Sequence, residues 1–492
     1  MNTVTRLLLL ASPLLLEACS VEPEKKNILF LCIDDLRMEV GAYGYSQAIT
    51  PNMDALASQG SLFTHHYAQV PTSGASRCSM LTGRLPRAFP DADNGACQYR
   101  MTGKPETENP ESFIHHLRRN GYYTVGVSKI SHCPDGRVYG HNDPVSDIFE
   151  MPHSWNEMLF DCGIWETGMK ARFGYADGSC RQSKRNKAKP YECGNVGDEG
   201  YVDGLNTRLA IEKLRQLSKS RQPFCLAVGI MRPHLPFVAP KKYWDLYDED
   251  TVTLPAIPRI PENVNPASLH NSSEFKIYAG GEEKPFLDKP VSDAYARKLR
   301  HAYLACVSYA DALVGKILDE LHRLDLDQNT IVVLWGDHGW HLGEMNVWGK
   351  HTMMETSLNS PLIFRVPGKK AGIVNRRIVS SVDIYPTLME LCGVALPDSL
   401  DGRSFVPLLD HPDDPDWEDI AYGYWKRGIT VRTPEYRYTR YFRKAEPVEE
   451  LFEYSSGRYE TRNIAQDHPE ILEKMRPIWE KGNTGIFRSP AK

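Results

Sequence analysis

The chain has 492 residues, of which 41% are apolar and 25% charged, and 58 Lys and Arg stand against 63 Asp and Glu for a net charge of −5. At roughly 150 residues per domain the length predicts about three domains, or one large domain with a small companion. That composition excludes a disordered chain, a collagen and a multi-span membrane protein, and the mildly acidic balance excludes a general nucleic-acid binder. Eleven cysteines are too few for a disulfide scaffold.

Residues 1–25 read as an address rather than as structure. Arg6 is the only charge before the run Leu7 to Leu16, which is too short to span a bilayer and suits a signal-peptide core. The following Leu16-Glu17-Ala18-Cys19-Ser20 resembles a bacterial lipobox, with Glu17 as a departure. Lipidation at Cys19, which would tether the protein to a membrane, and plain secretion both stay open. Either way the reading is an exported protein, periplasmic or an outer-membrane lipoprotein, in a compartment where disulfides are permitted.

After Lys26, strands alternate with helices. Asn27 to Ile33 is apolar on both faces and ends in Asp34-Asp35, the pattern of a central parallel strand. Thr50-Pro51 opens a helix that stops at Gly60. Tyr123 to Val127, Phe224 to Ile230, Ile331 to Trp335 and Leu362 to Val366 are further buried strands. The longest helix runs from about Ser292 to Leu324, with Leu299, Tyr303, Cys306, Ala310, Leu313, Ile317 and Leu321 on one stripe. This alternation predicts an α/β fold, a sandwich around a mostly parallel sheet, over residues 26–410. Residues 411–492 change character: four short strands between Ile420 and Tyr454 and a helix from Pro469 to Lys481 predict a smaller α+β unit. Residues 240–292, rich in Pro, read as a long surface excursion. The basic run Arg181 to Lys189 reads as a solvated loop, with contact to an anionic polymer as the alternative.

In open α/β sheets the chemistry gathers beyond the carboxyl ends of the strands. Asp34-Asp35 and Gly336-Asp337-His338 both follow apolar strands directly, so both can line one pocket. Hard oxygen ligands suit Ca2+ or Mg2+. Alone, an Asp-Asp pair is more often a helix cap or a solvated turn.

The segment Ser73-Gly74-Ala75-Ser76-Arg77-Cys78-Ser79-Met80-Leu81-Thr82-Gly83-Arg84 resembles the signature of the type I, formylglycine-dependent sulfatases, members of the alkaline-phosphatase-like superfamily. The resemblance continues from Asn27 to about Asn463, through Ser128-Lys129-Ile130-Ser131-His132, Arg232-Pro233-His234, Gly349-Lys350 and Asp383 to Leu388. The spacing of Lys129 and His132 and the presence of His338 after Asp337 are most similar to the iduronate-2-sulfatase branch.

That resemblance implies a large alkaline-phosphatase-like α/β/α sandwich and a sulfuric ester hydrolase. It implies that Ser73 is oxidised to Cα-formylglycine, whose hydrate, a geminal diol, attacks sulfur and later expels sulfate with its second hydroxyl. Asp34, Asp35, Asp337, His338 and the converted Ser73 are the implied Ca2+ ligands. Arg77 would steady the formylglycine, and Lys129 and Lys350 would hold sulfate oxygens. His132 would be the base and His234 the acid that protonates the leaving alcohol. Serine in place of the commoner cysteine implies a partner, a serine-type radical-SAM maturing enzyme. Cys180 and Cys193 flank a loop where the iduronate-2-sulfatase branch carries a disulfide, so the resemblance implies a bond there, worth about 3 kcal/mol.

The expected substrate is a sulfated carbohydrate, a glycosaminoglycan or algal polysaccharide fragment, with 2-O-sulfated uronic acid as the branch's pointer. Two alternatives remain: a phosphoester or phosphonate hydrolase on the same scaffold, and a surface glycan-binding protein with an unconverted Ser73. Specificity should lie in the poorly patterned stretches Arg87 to Arg100, Asp135 to Gly200, Glu262 to Lys289 and Cys392 to Glu418. His341, Glu344 and His351 are near enough in sequence to touch sugar, with packing the expected role of at least two.

Overall fold

The structure, a computed structural model, describes residues 25–104, 111–443, 446–455 and 457–487. The leader and Cys19 lie outside the described residues. Among them, no helix is long and apolar enough to cross a membrane.

The strands, in chain order, are β1 (Asn27–Ile33), β2 (Ser61–Tyr67), β3 (Tyr123–Val127), β4 (Glu157–Leu159), β5 (Tyr191–Gly194), β6 (Phe224–Ile230), β7 (Phe237–Pro240), β8 (Thr330–Gly336), β9 (His341–Leu342), β10 (Trp348–Gly349), β11 (Leu362–Arg365) and β12 (Ile373–Ser380). Eight of them form the main sheet in the order β12-β2-β11-β8-β1-β6-β3-β4. β1 lies at its centre, parallel to both β6 and β8. Its alternate side chains go to opposite cores: Leu29, Leu31 and Ile33 to one, Ile28, Phe30 and Cys32 to the other. A strand buried on both faces must be apolar throughout, which is why Asn27–Ile33 was readable as central.

One face is covered by the helices Val202–Leu217 and Asp293–Arg323, the latter capped by the Ser292 side chain, which accepts from the Tyr295 amide. The opposite face carries Ser73–Thr82, Phe113–Arg119 and Ile384–Leu391. The seven predicted stripe residues of the long helix are all fully buried. Leu362–Arg365 is a buried strand, but it runs antiparallel to both β2 and β8. The sheet is therefore parallel except at this one position.

A second sheet, β13 (Ala421–Trp425), β14 (Gly428–Arg432), β15 (Tyr436–Tyr441) and β16 (Val448–Glu453), is antiparallel throughout. The helix Pro469–Lys481 packs on it, with Trp479 Nε1 donating to Ile429 O at 2.8 Å. A buried ion cluster ties this sheet to the main body: Glu355 accepts from Arg437 at 2.6 Å, Arg432 at 3.2 Å and the Tyr67 hydroxyl at 2.7 Å.

Three expectations need correction. Residues 240–292 are more than a surface excursion, since Tyr243, Trp244, Val252, Phe275 and Tyr278 are buried in the body of the protein. The basic run is exposed at Ser183, Arg185 to Lys187 and Lys189, as a solvated segment would be, but Arg181 at its start is half-buried, with its guanidinium 3.7 Å above the Phe173 ring. Cys180 and Cys193 are free thiols. Cys180 is buried with its sulfur turned to Ser183 Oγ at 3.6 Å, whereas Cys193 is exposed on β5, whose register is fixed by its pairing with β7. The two side chains answer to different neighbours, so no bond forms.

Candidate active site

The centre of the site follows from two adjacent strand ends. Ile33 of β1 is paired with Gly336 of β8, so Asp34-Asp35 and Asp337-His338 emerge side by side. The Asp35 amide donates to Asp337 Oδ1 at 2.9 Å, fixing the two turns together. The helix Ser73–Thr82 delivers the third component. Its first residue is Ser73, and Thr72 before it is extended. Asn94 Oδ1 accepts from both the Gly74 amide and Thr72 Oγ1 at 3.0 Å. A Cβ on Gly74 would lie 2.1 Å from the Asn94 carbonyl, so only glycine permits this approach.

Ser73 Oγ lies 3.0 Å from Asp34 Oδ1 and 3.1 Å from His338 Nε2. One turn along, Arg77 reaches back to Asp337 Oδ2 at 3.0 Å, Asp34 Oδ1 at 3.4 Å and the Lys129 carbonyl at 2.6 Å. It is fully buried, so these acceptors are what make its charge tolerable there. Lys129, just past β3, places Nζ 2.5 Å from Asp34 Oδ2, and Lys350, just past β10, places Nζ 2.9 Å from Asp35 Oδ1. The catalytic and metal-ligand candidates from the sequence thus meet at one end of the sheet: Asp34, Asp35, Ser73, Arg77, Lys129, His132, His234, Asp337, His338 and Lys350.

Three residues in this cluster were not singled out. Arg172 Nη2 lies 2.9 Å from His234 Nε2 and 3.7 Å from Asp34 Oδ2. Glu274, on the supposed excursion, lies 3.4 Å from both His234 Nε2 and Lys350 Nζ. Asn94 anchors the start of the Ser73 helix. Arg172 and Glu274 sit in weakly periodic, polar stretches with no motif around them; the only signal was that these stretches lacked pattern.

Burial raises the Asp34 carboxyl, but Lys129, with Arg77 and Arg172, outweighs it and holds the group well below the usual carboxylate range. Asp35 goes the other way: burial and the neighbouring Asp34, Glu274 and Asp337 push it well up despite Lys350. Burial, with Arg172 and Arg77, brings the Lys129 ammonium down to about 7. Burial and Arg172 likewise hold both His132 and His234 well below the ordinary imidazole value, so both are neutral. Among the described residues, Nδ1 of His132 has no hydrogen-bond partner. His234 Nδ1 donates to the Leu235 carbonyl at 2.6 Å, which leaves Nε2 to accept from Arg172.

Asp35, Asp337 and His338 each offer a ligand atom within 4.8 Å of the others. The donor set, oxygen-rich with one imidazole, suits a hard divalent cation, and the Asp35 carboxyl, crowded by three other acids, is the group such a charge would relieve.

These groups open into a cavity of about 450 Å3 lined by Ser73, His132, Arg172, Arg181, His234 and Lys350 among others, well inside the usual range for a ligand site. Three of the four poorly patterned stretches contribute: Asn94, then His141 with Arg172, Phe173 and Arg181, then Ser273, Glu274 and Ile277. Among the described residues, none from Cys392 to Glu418 lines it. His351 does, stacked on Trp425 with centroids 4.9 Å apart. His341 and Glu344 pack instead, His341 on Thr352 Oγ1 at 2.8 Å and Glu344 on the Arg37 guanidinium at 3.0 Å.

A family model described as Sulfatase matches residues 26–394. The chain belongs to the sulfatase family. A second model, N-sulphoglucosamine sulphohydrolase, C-terminal, matches residues 343–481. Among sulfatases the chain is 28% identical to the iduronate 2-sulfatase of Mus musculus, an alignment covering 92% of this chain and 93% of the relative. It is also 28% identical to the choline-sulfatase of Rhizobium meliloti over 90% of this chain and 83% of that one. The phosphonate monoester hydrolase of Agrobacterium radiobacter shares the fold, with a TM-score of 0.74 at 21% identity over 93% of this chain and 96% of that one. The sulfatase described here is accordingly a sulfuric ester hydrolase on an alkaline-phosphatase-like α/β fold.

Proposed function

We propose that this sulfatase removes sulfate from a sulfated carbohydrate, of the class represented by 2-O-sulfated uronic acid, with Ser73 as the attacking residue after its oxidation to Cα-formylglycine. The observation that carries the reading is that Ser73, which lines the cavity, places Oγ on Asp34 and His338 within a buried cluster that also holds Asp35, Asp337, Arg77, Lys129 and Lys350. The formylglycine would supply the nucleophilic oxygen, and Ca2+ on Asp34, Asp35, Asp337 and His338 would offset the sulfate charge. A serine-type radical-SAM enzyme is the proposed source of that modification.

The chain's own residues divide the remaining work. Lys129, on Asp34, and Lys350, on Asp35, would hold sulfate oxygens in a dry pocket, where a fixed cation acts more strongly than in water. His132, neutral and with Nδ1 unpartnered, is equipped to take a proton. His234 is the proposed acid. Its Nε2 accepts from Arg172 and carries no proton in this arrangement, so it would have to lose that guanidinium to substrate and take up a proton from solvent at Nε2 before giving it to the leaving oxygen. The N-terminus of the Ser73 helix adds a favourable dipole for an anion.

The test is the mass of the tryptic peptide ending at Arg77, from protein made with an anaerobic serine-type maturase. Loss of two hydrogens at Ser73, followed by turnover of sulfated saccharides in preference to matched phosphate esters, is the expected result. An intact Ser73, or a phosphate preference, would refute it.

A further inference from the structure

The cavity holds more positive charge than one sulfate group requires. Lys350, Arg172 and Arg181 line it against one carboxylate, Glu274. Lys350 is paired with Asp35 and Glu274, and Arg172 with His234 and Asp34. Arg181 is different. Among the described residues no carboxylate lies within ion-pair distance of it, and its close neighbours are aromatic: Phe173, with the guanidinium 3.7 Å above the ring, and Tyr278 at 5.7 Å.

This guanidinium is held in place without being neutralised. Its backbone amide donates to the Phe173 carbonyl at 3.0 Å, which fixes the residue against the ring it stacks on. His141 stacks on Phe173 as well, with centroids 5.4 Å apart and planes 22° apart, and it too lines the cavity. A planar cation already ordered by stacking loses little freedom when it takes up a carboxylate or sulfate by two parallel hydrogen bonds. A cationic leaving group finds the reverse: the aromatic ring in this wall is already occupied by a guanidinium and an imidazole, so a quaternary ammonium has no free ring face there to sit on.

We infer that Arg181 is a specificity-determining residue that receives a second anion of the substrate, a carboxylate or a second sulfate, beside the sulfate ester held at Ser73. The inference rests on the proposed desulfation of sugars and narrows its substrate class to saccharides carrying at least two negative charges, against singly charged or zwitterionic sulfate esters.

The experiment compares kcat/KM of the full-length, matured protein on three oligosaccharides. One is a 2-O-sulfated uronic acid, one is the same molecule with its carboxyl reduced to an alcohol, and one is that reduced molecule with a second sulfate. Wild-type protein should prefer the first or the third over the second by about 10- to 100-fold, and whichever is preferred identifies the second anion as carboxylate or sulfate. In Arg181→Gln the preference should fall toward unity, with most of the change in KM; Arg181→Lys should keep part of it. A wild-type preference below twofold overturns the inference with no variant needed, and a preference unchanged in Arg181→Gln overturns it too. If wild-type protein hydrolyses an aryl sulfate but none of the three saccharides, the underlying reading of function fails first, and the inference with it.

Discussion

Gly229 sits in β6 directly beneath Lys129. A Cβ added there would lie 2.1 Å from the Lys129 carbonyl oxygen, 2.5 Å from its carbonyl carbon and 2.6 Å from its amide nitrogen. Carbon and oxygen atoms pack at about 3.5 Å, so in Gly229→Ala the two backbones must part by about 1 Å. β6 is held by ladders to β1 and β3, with Gly229 paired to Cys32. The segment after β3 is the freer partner, so Lys129 moves and its Nζ leaves the position set by Asp34. A misplacement of about 1 Å in a positioning group costs about 100-fold in rate. Overpacking costs about 1–3 kcal/mol, and in a chain of this length, at about 2 cal/mol/K of unfolding entropy per residue, that lowers Tm by only about 1–3 °C. Gly229→Ala, matured in parallel with wild type, should therefore lose about 100-fold in kcat/KM on an activated aryl sulfate while melting within a few degrees of it. A kcat/KM within threefold of wild type would show that Lys129 is not positioned through this contact.

The buried Glu355 carboxyl is raised by burial but pulled by Arg432 and Arg437 down to about 2, so its stabilisation is complete above about pH 4.5 and is lost as pH falls through about 2. Glu355→Gln should cost about 3–5 kcal/mol at pH 7, with the gap from wild type closing between pH 4.5 and 2 in urea titrations; a gap independent of pH would contradict the pairing. Peptide mapping without reductant should find Cys180 and Cys193 free, with Cys193 alkylated in the folded protein and Cys180 protected, and a Cys180–Cys193 peptide pair would reverse that assignment. Asp337→Asn should weaken Ca2+ binding by at least tenfold in calorimetric titration, and an unchanged affinity would remove Asp337 from the ligand set.

The sequence carried the elements whose pattern is dictated by burial. β1, β3 and β6 have the limits read from their runs, and the long helix begins directly after Ser292, the position read as its start. Direction was not legible. An apolar run such as Leu362–Arg365 looks the same in either orientation, and only its pairing with β2 and β8 shows it to be antiparallel. The residues that make up the cavity centre were readable because strand ends and the Ser73 segment carry strong local pattern. Arg172 and Glu274 were not, and Arg181 was readable only as the start of a basic run, because each reaches the cavity from a helix of 4 or 5 residues, too short to carry a period. The Cys180–Cys193 expectation failed for a related reason: a loop of suitable length does not fix where two thiols point.

Ser73 is 1% exposed once the chain has folded, so the proposed oxidising enzyme would have to meet it earlier. The topology sets how long that opportunity lasts. β1, against whose end Ser73 docks, cannot gain its first ladder until β6 is complete at Ile230, about 157 residues after Ser73, and its second waits for Gly336. At 5–20 residues per second, synthesis alone leaves the serine open for about 8–30 s before its central strand has any neighbour. The long crossovers that make the sheet slow to close are also a delay line for chemistry on the nascent chain. A circular permutant that brought β6 ahead of Ser73 would shorten that interval, and with it the yield of converted protein, without changing a side chain of the finished site.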